Sequence, residues 1–135
     1  MTTWELSLLA TPEAVPEVRG LLRHHDYDVR LCVSEMLTNV VDHVGAGTPV
    51  TVRVVGPPAG HTRIEVTDPD PRALPLLVRS ADATEESGRG LVLLDALALR
   101  WGVEQEARGK TTWCEVATSR TRSGPGSGSA AARHA

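Results

Sequence analysis

Alternating and helical hydrophobic periods divide the chain into short elements. Residues 3–10 (TWELSLLA) alternate apolar and polar positions and predict a strand. Thr11 and Pro12 then mark a helix start, with Pro at the first helical position, and the pattern predicts a helix from Pro12 to His24. A second helix centres on Leu31–Val44 (LCVSEMLTNVVDHV), with Asp26 as its cap and Gly45 and Gly47 as its stop. At about 100° per residue, Val29, Val33, Met36, Leu37, Val40, Val41 and Val44 share one side of it. Val50–Val55 and Thr62–Thr67 are β-branched alternating runs separated by turn formers and predict a hairpin. The prolines at 69, 71 and 75 then break regular structure, and a loop is expected to about Ser87. Ser87, Gly88, Arg89 and Gly90 open a run, GLVLLDALALRWG, that is apolar nearly all round and predicts a buried helix ending at Gly102. Val103–Glu106 and Thr111–Ala117 predict a final strand pair turned by residues 107–110. This order points to an α/β (α+β) fold, a two-layer sandwich of a mixed, mostly antiparallel sheet with helices on one face.

Composition narrows the reading. The 135 residues, 41% hydrophobic, suffice for one domain over residues 1–117, followed by a Gly/Ser/Ala-rich tail at 118–135 expected to be disordered. With no Phe, the core must be aliphatic. A net charge of −3 gives no basic face for nucleic acid, and no apolar run is long enough to span a bilayer, so a cytoplasmic protein is expected. Cys32 and Cys114 lack metal-ligand spacing and predict two buried, reduced thiols.

Candidate chemistry gathers at three places. Glu35 and Asn39, one turn apart on the polar side of the second helix, put a carboxylate and an amide in the same direction. Asp68 ends a strand, RIEVTD, just before the break. The SGRG segment presents unpaired helix N–H groups and glycines that allow close approach of an anion. Gly109, Lys110 and Thr111 spell GKT, yet Glu104 stands where a phosphate-binding P-loop has its first glycine, and a strand follows instead of a helix.

In this order the three places resemble the GHKL ATPase superfamily (the Bergerat, or histidine-kinase-like ATPase, fold) and, among its short members, the RsbW-like anti-sigma-factor serine/threonine kinases. SEMLTNVVDHV corresponds to the family's N box, IEVTD to its first glycine box and SGRGLVLLDALALRWGVE to its second. The resemblance implies that Glu35 is a general base and that Asn39 ligates a Mg²⁺ bridging the phosphates of ATP. It implies that Asp68 accepts the adenine amino hydrogen, that Gly88, Gly90 and Leu91 place backbone at the phosphates, and that Thr111 or Thr112 supports the adenine end. Arg89, by our own inference, screens phosphate charge. Where the family's box runs DxGxG, this chain has Asp70 and Arg72 at the glycine positions, residues expected to crowd the adenine or stiffen the hinge. The implied function is a regulatory protein kinase using Mg·ATP, with a small anti-sigma-factor antagonist as acceptor and a sigma factor as second partner. A homodimer is the family's common state. The rival reading is a non-catalytic binding module of the same fold, and a remoter one is ATP hydrolysis without a protein acceptor.

Overall fold

A computed structural model describes residues 2–56, 60–72 and 96–118. Its elements are β1 (Thr2–Ala10), α1 (Ala14–Leu21), α2 (Tyr27–His43), β2 (Thr48–Gly56), β3 (Gly60–Asp68), β4 (Arg100–Glu106) and β5 (Gly109–Thr118). The strands form one sheet in the order β1-β2-β3-β5-β4, and every neighbouring pair is antiparallel. The two-layer α+β sandwich expected from the pattern is therefore present, with a sheet antiparallel throughout among the described strands.

Local chemistry explains the helix ends. Thr11 accepts the Ala14 N–H on Oγ1 at 3.1 Å, so α1 begins two residues later than the pattern predicts. Pro16 falls in its first turn, where a missing N–H costs nothing. The helix ends at Leu21 rather than His24, because Leu22 to His25 turn back through a bond from His25 N to Leu22 O at 2.8 Å. Asp26 does occupy the N-cap of α2, but through its backbone: its carbonyl accepts from Val29 and Arg30, and its side chain makes no cap bond. At the other end Gly45, with φ of 137°, and Gly47, with φ of 90°, take the positive φ that side-chain-bearing residues avoid. Gly47 N then bonds Ala10 O at 2.8 Å and ties the exit of α2 to β1.

The core lies between the helices and one face of the sheet. Alternation puts Val50, Val52 and Val54 of β2, Ile64 and Val66 of β3, and Cys114 and Val116 of β5 on that inner face. Val18 and Leu22, with Val29, Cys32, Val33, Met36 and Leu37 of α2, close over them. Both cysteines are free and buried, as expected. The Cys114 thiol donates to Met36 Sδ at 3.9 Å. Its contact with the Cys32 thiol, reinforced by burial, pushes the Cys114 thiol far up, which keeps it protonated.

The outer face is dressed with charge. Arg53 bridges Glu5 and Glu65, Arg63 reaches Glu65, Glu104 and Glu115, and Arg100 bonds Glu115 at 2.8 Å. Arg63 also lies over the Trp113 ring, 4.4 Å from its centroid.

A further predicted boundary moves, and with it the element type. Arg100, Trp101 and Gly102, assigned by pattern to the end of a buried helix, are the first residues of β4; among the described residues that helix is represented only by Ala96 and Leu97. Pairing decides this. Leu99 N bonds Glu115 O at 2.7 Å, Trp101 packs on the core from the inner face, and Gly102 leaves room for Trp113, whose ring a Cβ there would meet at 3.1 Å. Thr118 likewise pairs with Gly60, carrying β5 one residue past the predicted domain end. The rest of the predicted tail, residues 119–135, lies outside the described residues, as does most of the loop after Arg72.

Leu37 is fully buried under the sheet and Leu21 is 54% exposed, so the two leucines separate packing from surface effects. Leu37→Ala is expected to cost about 2–5 kcal/mol in urea unfolding, and Leu21→Ala no more than about 0.5 kcal/mol.

Candidate functional site

Helix α2 carries the first two candidates. Its apolar side is docked on the inner face, which leaves Glu35 half-buried and Asn39 only 5% exposed. No described residue hydrogen-bonds the Asn39 side chain. An amide with donor and acceptor capacity to spare suits a ligand contact. Burial raises the Glu35 carboxyl above its ordinary value; Arg19 of α1 opposes the shift and Asp42 adds to it. A carboxylate moved toward neutrality is a stronger proton acceptor than a surface Glu.

Asp68 arrives on the same face from the sheet. It follows Ile64 and Val66 at period two, so its side chain points to the helix side at the end of β3, where it is 3% exposed. Thr112 lies opposite Val66 in register and shares that face. Thr111 does not. Its hydroxyl is on the outer face, 2.8 Å from that of Thr67, which removes it from the pair of threonines expected at the adenine end. Gly88, Arg89, Gly90 and Leu91 lie outside the described residues.

Pattern reading missed the partner of Asp68. Lys110 Nζ donates to Asp68 Oδ1 at 3.1 Å, and the two side chains are 0% and 1% exposed. The same ammonium donates to Asp70 O at 2.9 Å. A signal existed: Lys110 stands at the inward period of Thr112, Cys114 and Val116, where a lysine requires a carboxylate.

The segment that replaces the family's glycines is folded on itself. Asp68 Oδ1 accepts from Asp70 N at 2.8 Å, and Asp70 Oδ1 accepts from Arg72 N at 3.0 Å, two successive Asx turns. The Arg72 guanidinium grips the Asp70 carboxylate and, with the Arg72 backbone, holds it well below the usual carboxylate range. Arg72 itself is 81% exposed, so it points away rather than crowding the inner face; what Asp70 and Arg72 do is stiffen the turn. Gln105 Nε2 adds a bond to Pro71 O at 2.8 Å. Gly109 is required beside it, since a Cβ there would overlap the Asp68 carbonyl oxygen.

An open depression of about 670 Å³ adjoins this turn at the end of the sheet, lined in part by Leu8, Leu9, Val50, Asp68, Glu106 and Arg108. It touches neither Glu35 nor Asn39, and it shares Asp68 with the face under α2. Among the described residues, no helix is long and apolar enough to cross a membrane.

Comparison with known proteins gives three findings. The family profile described as the histidine kinase-like ATPase domain matches residues 8–115. An uncharacterised protein of Streptomyces coelicolor is 59% identical over 85 residues, which are 63% of this chain and 81% of that protein. A crystal structure of RsbU and RsbW domains from Mycobacterium tuberculosis superposes with a TM-score of 0.62 over 89% of this chain at 22% identity. This chain spans 33% of that one.

The half-buried acid of α2 has a measurable signature. Because its carboxyl is raised in the folded state, the native protein takes that proton more readily than the unfolded chain, and stability is lost as pH rises through the carboxylate range. Glu35→Gln is therefore expected to melt slightly above the wild type at about pH 7, with the difference closing toward about pH 4, in thermal melts followed by circular dichroism.

Proposed function

The chain belongs to the histidine kinase-like ATPase family, and from that premise we propose that it binds Mg·ATP on the face between α2 and the sheet and phosphorylates a serine or threonine of a small antagonist protein. What supports the proposal is the placement of two elements: Glu35 and Asn39 lie one turn apart on α2, and Asp68 is buried on the side of the sheet that α2 covers. The resemblance to RsbW-like kinases extends the proposal to a sigma factor held in alternation with the antagonist, a role in transcription regulation and a cytoplasmic setting; the likeness to a chain with an RsbW domain supports the fold on which it rests.

Bound Mg·ATP supplies the phosphoryl group. Glu35 accepts the proton of the acceptor hydroxyl, helped by the burial that raises its carboxyl. Asn39 offers its side-chain oxygen to Mg²⁺, and Asp68 accepts the hydrogen of the adenine amino group. Gly88, Gly90 and Leu91 bring backbone N–H groups to the phosphates, with Arg89 screening their charge and Thr112 at the adenine end. Transfer of this kind depends on positioning and charge neutralisation rather than on covalent chemistry.

A second reading has an observation in its favour. Asp68 already holds Lys110, and a self-bonded turn stands where the family has flexible glycines. A protein-binding module that keeps the fold without turnover would accommodate both features.

Radiolabelled ATP with Mg²⁺ and candidate antagonist proteins separates the two readings. Transfer to the partner is expected, with Glu35→Ala slowing it about 10²–10⁴-fold while ATP still binds in calorimetry. Wild-type protein that binds ATP without transfer to any antagonist favours the binding module; transfer undiminished in Glu35→Ala removes Glu35 as the base.

A further inference from the structure

We infer that Lys110 is the positioning residue for adenine recognition: it acts through Asp68, and the chain's discrimination among purine nucleotides depends on it. The inference rests on the nucleotide-binding reading above and adds to it a residue outside the resemblance.

Asp68 is nearly inaccessible, so whatever it reads must meet an oxygen that is already fixed in direction. Its Oδ1 accepts two donors, Lys110 Nζ at 3.1 Å and Asp70 N at 2.8 Å. A carboxylate has about four acceptor positions, so the two taken at Oδ1 set the torsion of the group and leave Oδ2 for a further donor. No described residue donates to Oδ2. Lys110 is itself held in place, because its ammonium also bonds Asp70 O at 2.9 Å and its side chain is wholly buried.

Displacing the lysine is the wrong way to free the carboxylate. A neutral adenine amino group makes a weaker hydrogen bond to a carboxylate than an ammonium does, and the stranded ammonium would remain buried with one carbonyl as its only partner. The amino group therefore adds at Oδ2 while Lys110 stays. The ammonium has a second effect. Bonded at Oδ1, the carboxylate keeps Oδ2 as its remaining acceptor, which is what the adenine amino group requires. With Lys110 present, Asp68 is an acceptor for the amino group of adenine and a poor match for the carbonyl of hypoxanthine.

Calorimetric titration with Mg·ATP and Mg·ITP, which differ in that one group, tests this. Wild type is expected to favour ATP by about tenfold to a hundredfold, the worth of a hydrogen bond to a charged group. In Lys110→Met the preference collapses because ATP affinity falls while ITP affinity stays within about twofold. Lys110→Arg, which keeps the cation, restores a preference for ATP. Should Lys110→Met fail to fold, as judged by circular dichroism, Lys110→Gln, which keeps a donor without charge, reads the same ratio. A ratio unchanged from wild type in the neutral variant overturns the assignment, and so does a wild type that binds both nucleotides equally. Wild type that binds neither overturns the nucleotide reading and this inference with it.

Discussion

The seating of one amphipathic helix on an aliphatic sheet face is the constraint on which the molecule depends. Without phenylalanine, the layer between α2 and the strands is built from Val, Leu, Ile, Met and two thiols, with Trp4 and Trp101 packed against it, so its stability depends on close fit. That fit fixes the rotation of α2 about its axis. Once Val33, Leu37 and Val40 face the sheet, Glu35 and Asn39 have no freedom to choose their direction, while period-two alternation along β3 turns Asp68 to the side of the sheet that α2 covers. Packing and chemistry are thus set by a single register.

Much of this was legible in the sequence, because it is periodic. The amphipathic stripe of α2, the alternation of β1 to β3 and the glycine stop at 45 and 47 are local signals, and the structure follows them. What local signals could not carry was decided by partners distant in sequence. RWG at 100–102 continues an apolar run and looks helical, yet it pairs with β5 because Trp113 lies where only Gly102 leaves space. Which of Thr111 and Thr112 faces the helices is a question of strand phase, and the ladder with β3 puts Thr112 on that side. Lys110 belongs to a GKT run that is no phosphate loop, and its inward phase, shared with Cys114, is the cue to a buried ion pair with Asp68. Gly88 to Leu91 lie outside the described residues, so the phosphate end of the site rests on the family's pattern.

Three neighbouring carboxylates show how environment divides roles among identical groups. Glu35 is raised by burial that Arg19 only partly offsets, a condition suited to taking protons. Asp70 is held low by Arg72 and serves as a strut of the turn. Asp68 sits deepest, with a lysine as counter-charge on one oxygen and the other left to accept from a donor.

The tip of the β4–β5 hairpin is fastened to residues 68–72 at three points: the ammonium of Lys110 on Asp68 and Asp70, the amide of Gln105 on Pro71, and the backbone of Gly109 pressed against that of Asp68. Two loops far apart in the chain are in this way riveted into one plate at the rim of the sheet. A base resting on that plate would meet a floor held from both loops at once.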